Sequence, residues 1–225
     1  ALTTGDNNVA VGFEALKTED ANGNSVAIGY RALKVQNAGD EAYNVAVGVD
    51  AGTSITTGTA NTFVGGLAGD GTDDGTNNTA VGYLALSANC GNDNTAIGKS
   101  SLQVATGGGN VAVGKDAGLS LTSGELNTFI GASAGDGTDD GNDNVAIGHQ
   151  ALSANAGDDN VAIGKDALLV NVKNQNIAIG SHALDADVNG GTSVAIGHNA
   201  LSAQAPATAT DMLNTAVGNS AGMSV

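Results

Sequence analysis

One phrase constrains this chain more than anything else in it. The pattern Asn-(Val/Thr)-Ala-(Val/Ile)-Gly-x-x-Ala-(Leu/Gly) recurs with its central glycine at Gly12, Gly29, Gly48, Gly65, Gly82, Gly98, Gly114, Gly131, Gly148, Gly164, Gly180, Gly197 and Gly218. The spacing is shortest from Gly82 to Gly98 and longest from Gly197 to Gly218, so the copies cover the sequence and leave no stretch for a second domain. So short a period is too little for two packed helices and a connection, but suits a coil of two or three short strands. The residues agree. Val9-Ala10-Val11 and Val161-Ala162-Ile163 are β-branched at alternate positions, which puts the branched pair on one side of a strand and Ala on the other. The expected fold is all-β: a parallel β-solenoid, or β-roll, of about thirteen coils of 16–21 residues, forming a single domain over residues 1–225.

Individual columns carry further expectations. The residue before the glycine is Val or Ile in every copy, which suggests an inward column that includes Ile97 and Ile147. The residue four before it is Asn, except at Ser25 and Ser193. Stacked at strand spacing, those amides are expected to hydrogen-bond to one another up the stack as a ladder. The glycine itself reads as a turn residue at positive φ. Phe63 and Phe129 replace the central Ala in coils whose leucine column is Gly69 and Gly135, an exchange of volume that places both columns in a crowded interior or interface. Both phenylalanines lie in duplicated blocks: the spacings from Gly48 to Gly114 recur from Gly114 to Gly180, and Asn61 to Gly75 closely matches Asn127 to Gly141.

Composition narrows the function. Lys and Arg total 7 against 23 Asp and Glu, a formal charge of -16, which repels phosphate backbones and anionic lipid and argues against a nucleic-acid partner. Abundant glycine with strong net charge is also how a disordered chain reads, but the periodicity removes that option. No apolar run reaches the roughly 20 residues needed to cross a membrane, and no basic-then-apolar leader opens the sequence. Cys90, the only cysteine, reads as a spare thiol in a turn.

Few residues suggest chemistry. Gly98-Lys99-Ser100 resembles the tail of a phosphate loop, but Asp93 stands where that motif needs its first glycine. His149 and His198 share the variable column after their glycines, three coils apart and too far to share a metal, and His182 lies in the next column. The acidic turns Asp70, Asp73 and Asp74, with their copies Asp136, Asp139 and Asp140, combine oxygen donors with flexible glycines, which suits calcium. Asp and Gly are equally the default residues of turns. No other cofactor is expected. Two coils carry insertions, from Lys34 to Tyr43 and from Ser202 to Asp211, where a solenoid would present a binding surface.

The phrases Asn24-Ser25-Val26-Ala27-Ile28-Gly29 and Asn78-Thr79-Ala80-Val81-Gly82-Tyr83-Leu84-Ala85-Leu86 resemble the head repeats of YadA-like trimeric autotransporter adhesins. They are also similar to Asn-Thr-Ala-Ile-Gly-type repeats of phage tail fibres. The resemblance implies a left-handed parallel β-roll, three chains about one axis, and binding to a cell or matrix surface, including its glycans. The expected location is accordingly extracellular, at a cell or virion surface. The repeat here is longer than in the adhesin heads, and the residues themselves add only that small Ala columns let chains approach closely.

Both ends read as bare coils. Joining Gly218 to the Gly12 of another copy gives the same spacing as that between Gly29 and Gly48, and a seam close to Ala51-Gly52-Thr53-Ser54-Ile55-Thr56-Thr57-Gly58. Head-to-tail stacking is therefore expected, with residues 1 to 8 completing the coil begun at Gly218. The function expected is that of a non-catalytic structural or adhesive component of an extracellular fibre or filament, a rod roughly 60 Å long. The alternatives are a receptor-binding phage tail-fibre shaft and a calcium-dependent surface-binding module. A glycan-cleaving enzyme on a β-helix would need paired carboxylates in a cleft, and the clustered acids here are repeated turn residues.

Overall fold

The computed structural model describes residues 6–18, 23–39, 41–204 and 210–223. It is a parallel β-solenoid with no helix among these residues. It contains two compact units, residues 1–110 and 111–225.

In the first unit each phrase forms one three-residue strand: β1 (Val9–Val11), β2 (Val26–Ile28), β3 (Val45–Val47), β4 (Thr62–Val64), β5 (Thr79–Val81) and β6 (Thr95–Ile97). Each strand pairs parallel and in register with the next, so Ala27 faces Ala46 and Ala46 faces Phe63. The second unit repeats this with β7 (Val111–Val113), β8 (Thr128–Ile130), β9 (Val145–Ile147), β10 (Val161–Ile163), β11 (Ile177–Ile179), β13 (Val194–Ile196) and β15 (Thr215–Val217). A separate pair, β12 (Gly190–Gly191) and β14 (Thr210–Asp211), runs parallel beside it. Both insertions, and the expected seam at residues 1 to 8, fall partly on positions outside the described residues.

The strand faces correct one expectation. Val and Ile before the glycine point outward: Ile97 is 40% exposed, Val64 37% and Val81 36%, while Ile147 is half-buried. The central Ala points inward and is fully buried from Ala27 through Ala195, as are Phe63 and Phe129. Alternation forbids both columns from facing in. The inner side already holds Ala and Leu from the turn after the glycine, such as Ala85 and Leu86, which leaves room at the strand for a methyl group but rarely more. An exceptionless column reflects strand propensity as readily as burial.

The phenylalanines show how tightly that interior is fitted. A Cβ added at Gly69 would lie 2.5 Å from Phe63 Cε1, and one added at Gly52, in the preceding coil, 2.9 Å from Phe63 Cδ2. Phe63 thus fills the space of a leucine missing from its own coil and of another missing from the coil before. Ile55, fully buried, supplies apolar volume elsewhere in that earlier coil.

The turns are left-handed at regular places. The residues five before, two after and four after the glycine have positive φ, as at Asn77 (59°), Leu84 (57°) and Leu86 (53°). The glycine is demanded twice over. At Gly48 φ is 147°, and a Cβ there would stand 2.3 Å from the carbonyl oxygen of Gly65 in the next coil.

Candidate functional site

The buried asparagines form the most regular polar array, and its wiring differs from the expected amide-to-amide ladder. Asn61 Oδ1 accepts from the backbone N–H of Asn78 at 2.9 Å, and Asn61 Nδ2 donates to Gly75 O at 2.8 Å. The same pair of bonds recurs at Asn78, Asn94 and Asn144. Each amide therefore closes its own coil on one side and binds the next coil's backbone on the other. It satisfies main-chain groups that an interior of Ala and Leu leaves unpaired. Direct amide-to-amide bonds are additions, as from Asn160 Nδ2 to Asn144 Oδ1 at 3.1 Å.

The two serine exceptions use a substitute. Gln36 Nε2 donates to Ser25 Oγ, and Gln36 Oε1 accepts from Asn44 Nδ2 at 2.8 Å. Gln204 binds Ser193 Oγ and Asn214 Nδ2 in the same way. Sequence reading missed this pairing. Its signal was that both serines fall in coils with an insertion and that each is followed by Gln at the same offset.

The acidic turns are structural in their contacts. Asp73 accepts a short hydrogen bond from the Thr56 hydroxyl one coil away, and Asp139 does so from Thr122. The Asp73 N–H donates to Asn89 Oδ1 and the Asp139 N–H to Asn155 Oδ1, both at 2.9 Å. Asp74 and Asp140 are exposed, and Asp136 is half-buried. Asp70 is also half-buried, with Oδ1 lacking a partner among the described residues, and burial pushes its carboxyl above the ordinary value despite a bond to Ser87. Among the described residues no three His, Cys, Asp or Glu side chains converge as a metal would require, so the six carboxylates are not brought to a common point.

The other candidates separate. Cys90 is buried: it is 2% exposed, 3.2 Å from Thr72 Oγ1, and burial raises its pKa, which disfavours the reactive thiolate. Lys99 is exposed, and Gly98 leads into a turn rather than a helix, so no phosphate cradle forms there. His149 is exposed and apart, whereas His182 lies edge-on to His198, ring centroids 6.3 Å apart, with Nδ1 3.1 Å from Asp185.

Two surface features remain. On the outer side of the strands every residue is Val, Ile or Thr, with no charge in either column. In the first unit the position after the glycine carries Phe13, Tyr30, Val49 and Tyr83, all at least 45% exposed. Phe13 and Tyr30 stack with centroids 5.6 Å apart, and the Arg31 guanidinium lies 4.9 Å over the Tyr30 ring.

Parallel ladder, repeating amide and left-handed turns define a β-solenoid repeat protein. Comparison of the chain with protein-family models, curated proteins and solved structures finds no match.

Proposed function

We propose that this chain is a non-catalytic structural and adhesive component of an extracellular fibre, working by self-association. The observation that carries the reading is the outer strand face. On a chain of formal charge -16, two columns free of charge and wholly β-branched form the outer strand face of each unit, the one before the glycine exposed or half-buried and the other mostly half-buried. An uncharged face of that kind, rich in Val and Ile, is suited to contact. A parallel sheet ordinarily has both faces covered. A second copy presents the same strand period and the same neutral strip, so copies meet without bringing their acidic turns together. Trimers about one axis, as in the adhesin heads that the repeats resemble, are one such arrangement. Head-to-tail stacking on a shared coil period is the other.

Sedimentation and electron microscopy of the wild type and of a Val64→Lys/Val81→Lys variant test this. The wild type is expected to form oligomers or filaments, and the variant to stay folded but discrete. A wild type that remains monomeric at high concentration would overturn the proposal.

A further inference from the structure

The outer surface of the first unit carries a second feature that the fold does not require. The chain has six aromatic residues: Phe63 and Phe129 are buried, and Phe13, Tyr30, Tyr43 and Tyr83 are exposed, all in the first unit. Equivalent positions after the glycine elsewhere hold Gly66, Ala132, Ser181 and Asn219, so the solenoid accepts almost anything in that column. An exposed stacked pair, Phe13 at 66% and Tyr30 at 45%, is therefore a choice of surface chemistry.

Cations gather in the same two coils. Lys17, Arg31 and Lys34 are three of the chain's seven, and the Arg31 guanidinium lies over the Tyr30 ring. Glu14 Oε1 holds Lys17 Nζ at 2.5 Å and Glu14 Oε2 holds Lys34 Nζ at 3.1 Å. Asp50 grips the Nε and Nη2 edge of Arg31 at 2.6 and 2.8 Å. These pairings hold Glu14 below the ordinary carboxylate range and Arg31 above its usual value. The charges of Glu14, Lys17, Arg31, Lys34 and Asp50 sum to one positive on a strongly negative chain.

We infer that Phe13, Tyr30, Lys17, Arg31 and Lys34 form a binding site for a sugar bearing a single carboxylate at the end of an otherwise neutral glycan. The apolar face of a pyranose ring packs on an aromatic ledge, and ammonium and guanidinium groups pair with the carboxylate. A polyanion is disfavoured by the chain's overall field, whereas one terminal carboxylate meets only the local positive charge. The inference deepens the adhesive reading and rests on it for its purpose: in a fibre, many weak sites act together.

Saturation-transfer NMR with the full chain tests it, using sialyllactose and a glucuronyl-terminated disaccharide, with lactose as the neutral control. The acidic sugars are expected to bind, lactose to bind at least roughly tenfold more weakly, and high salt to remove the difference. Phe13→Ala/Tyr30→Ala and Lys17→Ala/Lys34→Ala change side chains outside the core and are expected to lower affinity roughly tenfold while the melting temperature holds. Equal binding of lactose, unchanged binding in both variants, or no binding of either acidic sugar would overturn the site. Fibres that form without binding the sugars would reject the site alone. Binding by a chain that does not assemble would reject the fibre reading alone.

Discussion

Gln36 Nε2 donates to Ser25 Oγ at 3.1 Å, and by that bond a coil lacking its asparagine keeps an amide at the rung. Both side chains are fully buried, so removing the amide leaves the hydroxyl and Asn44 Nδ2 each short of a partner. Gln36→Leu is expected to destabilise by about 2 kcal/mol and Ser25→Ala by about 1 kcal/mol. Because the two groups serve each other, the double variant should cost clearly less than the sum. Strict additivity in chemical denaturation would show that the pair does not act as a unit.

Phe63 and Gly69 make a second coupled pair. Phe63→Ala should cost about 3–5 kcal/mol through the cavity it leaves. Gly69→Leu alone should cost about 1–3 kcal/mol, because its side chain would occupy the Phe63 ring. Combined, they rebuild the Ala-and-Leu coil found at Ala80 and Leu86, where the leucine sits at a φ of 53° close to the 60° of Gly69. The double variant is expected to be more stable than either single one. Melting curves below both would mean that the Gly52 gap, left open by the loss of Phe63, dominates.

The repeat length, the strand, the parallel ladder and the positive φ of the glycine were all legible in the sequence, because each follows from spacing or from one residue's sterics. The direction of the strand faces was not. Periodicity says that Val11 and Ala10 point to opposite sides, but which side is interior depends on what the following turn contributes, and only the packed coil shows Leu16 already there. The asparagine column could be recognised as structural, yet its partners are backbone groups from two different coils. The aromatic and cationic surface was hidden for another reason. Phe13 and Lys17 belong to columns with no pattern at all, and it is their neighbours in the stack that give them meaning.

The reversed faces yield their own test. Ile97→Asp is expected to leave the melting temperature of the isolated chain nearly unchanged while weakening self-association. Ala96→Asp, one residue away and fully buried, should cost about 3 kcal/mol or more. Calorimetry paired with sedimentation separates the two effects. Equal destabilisation by both substitutions would contradict the assignment.

Asp70 supplies a pH dependence. Its carboxyl is raised by burial, so its contribution to stability is full below the ordinary carboxylate value of 3.8 and is lost as pH rises through the folded value. Asp70→Asn should therefore raise the melting temperature at pH 7 and lose that advantage in acid. Calcium at these turns would reverse the result, stabilising the wild type and giving a chelator a large effect that Asp73→Asn/Asp139→Asn removes. The expected effect of chelation is small.

The amide rung also bears on how such a chain changes length over generations. Asn61 and Asn127, equivalent positions in the two duplicated blocks, make the same bond to Gly75 and Gly141 respectively, each at 2.8 Å. Each coil whose rung is an asparagine asks its neighbour for the same donors and acceptors. Unequal recombination that adds or deletes whole coils therefore leaves no backbone group unmatched, whereas a breakpoint inside a coil would strand one. Heritable length is quantised in coils. The duplicated blocks bear the mark of such an event, having been copied together with the Phe-and-Gly exchange that keeps their interior filled.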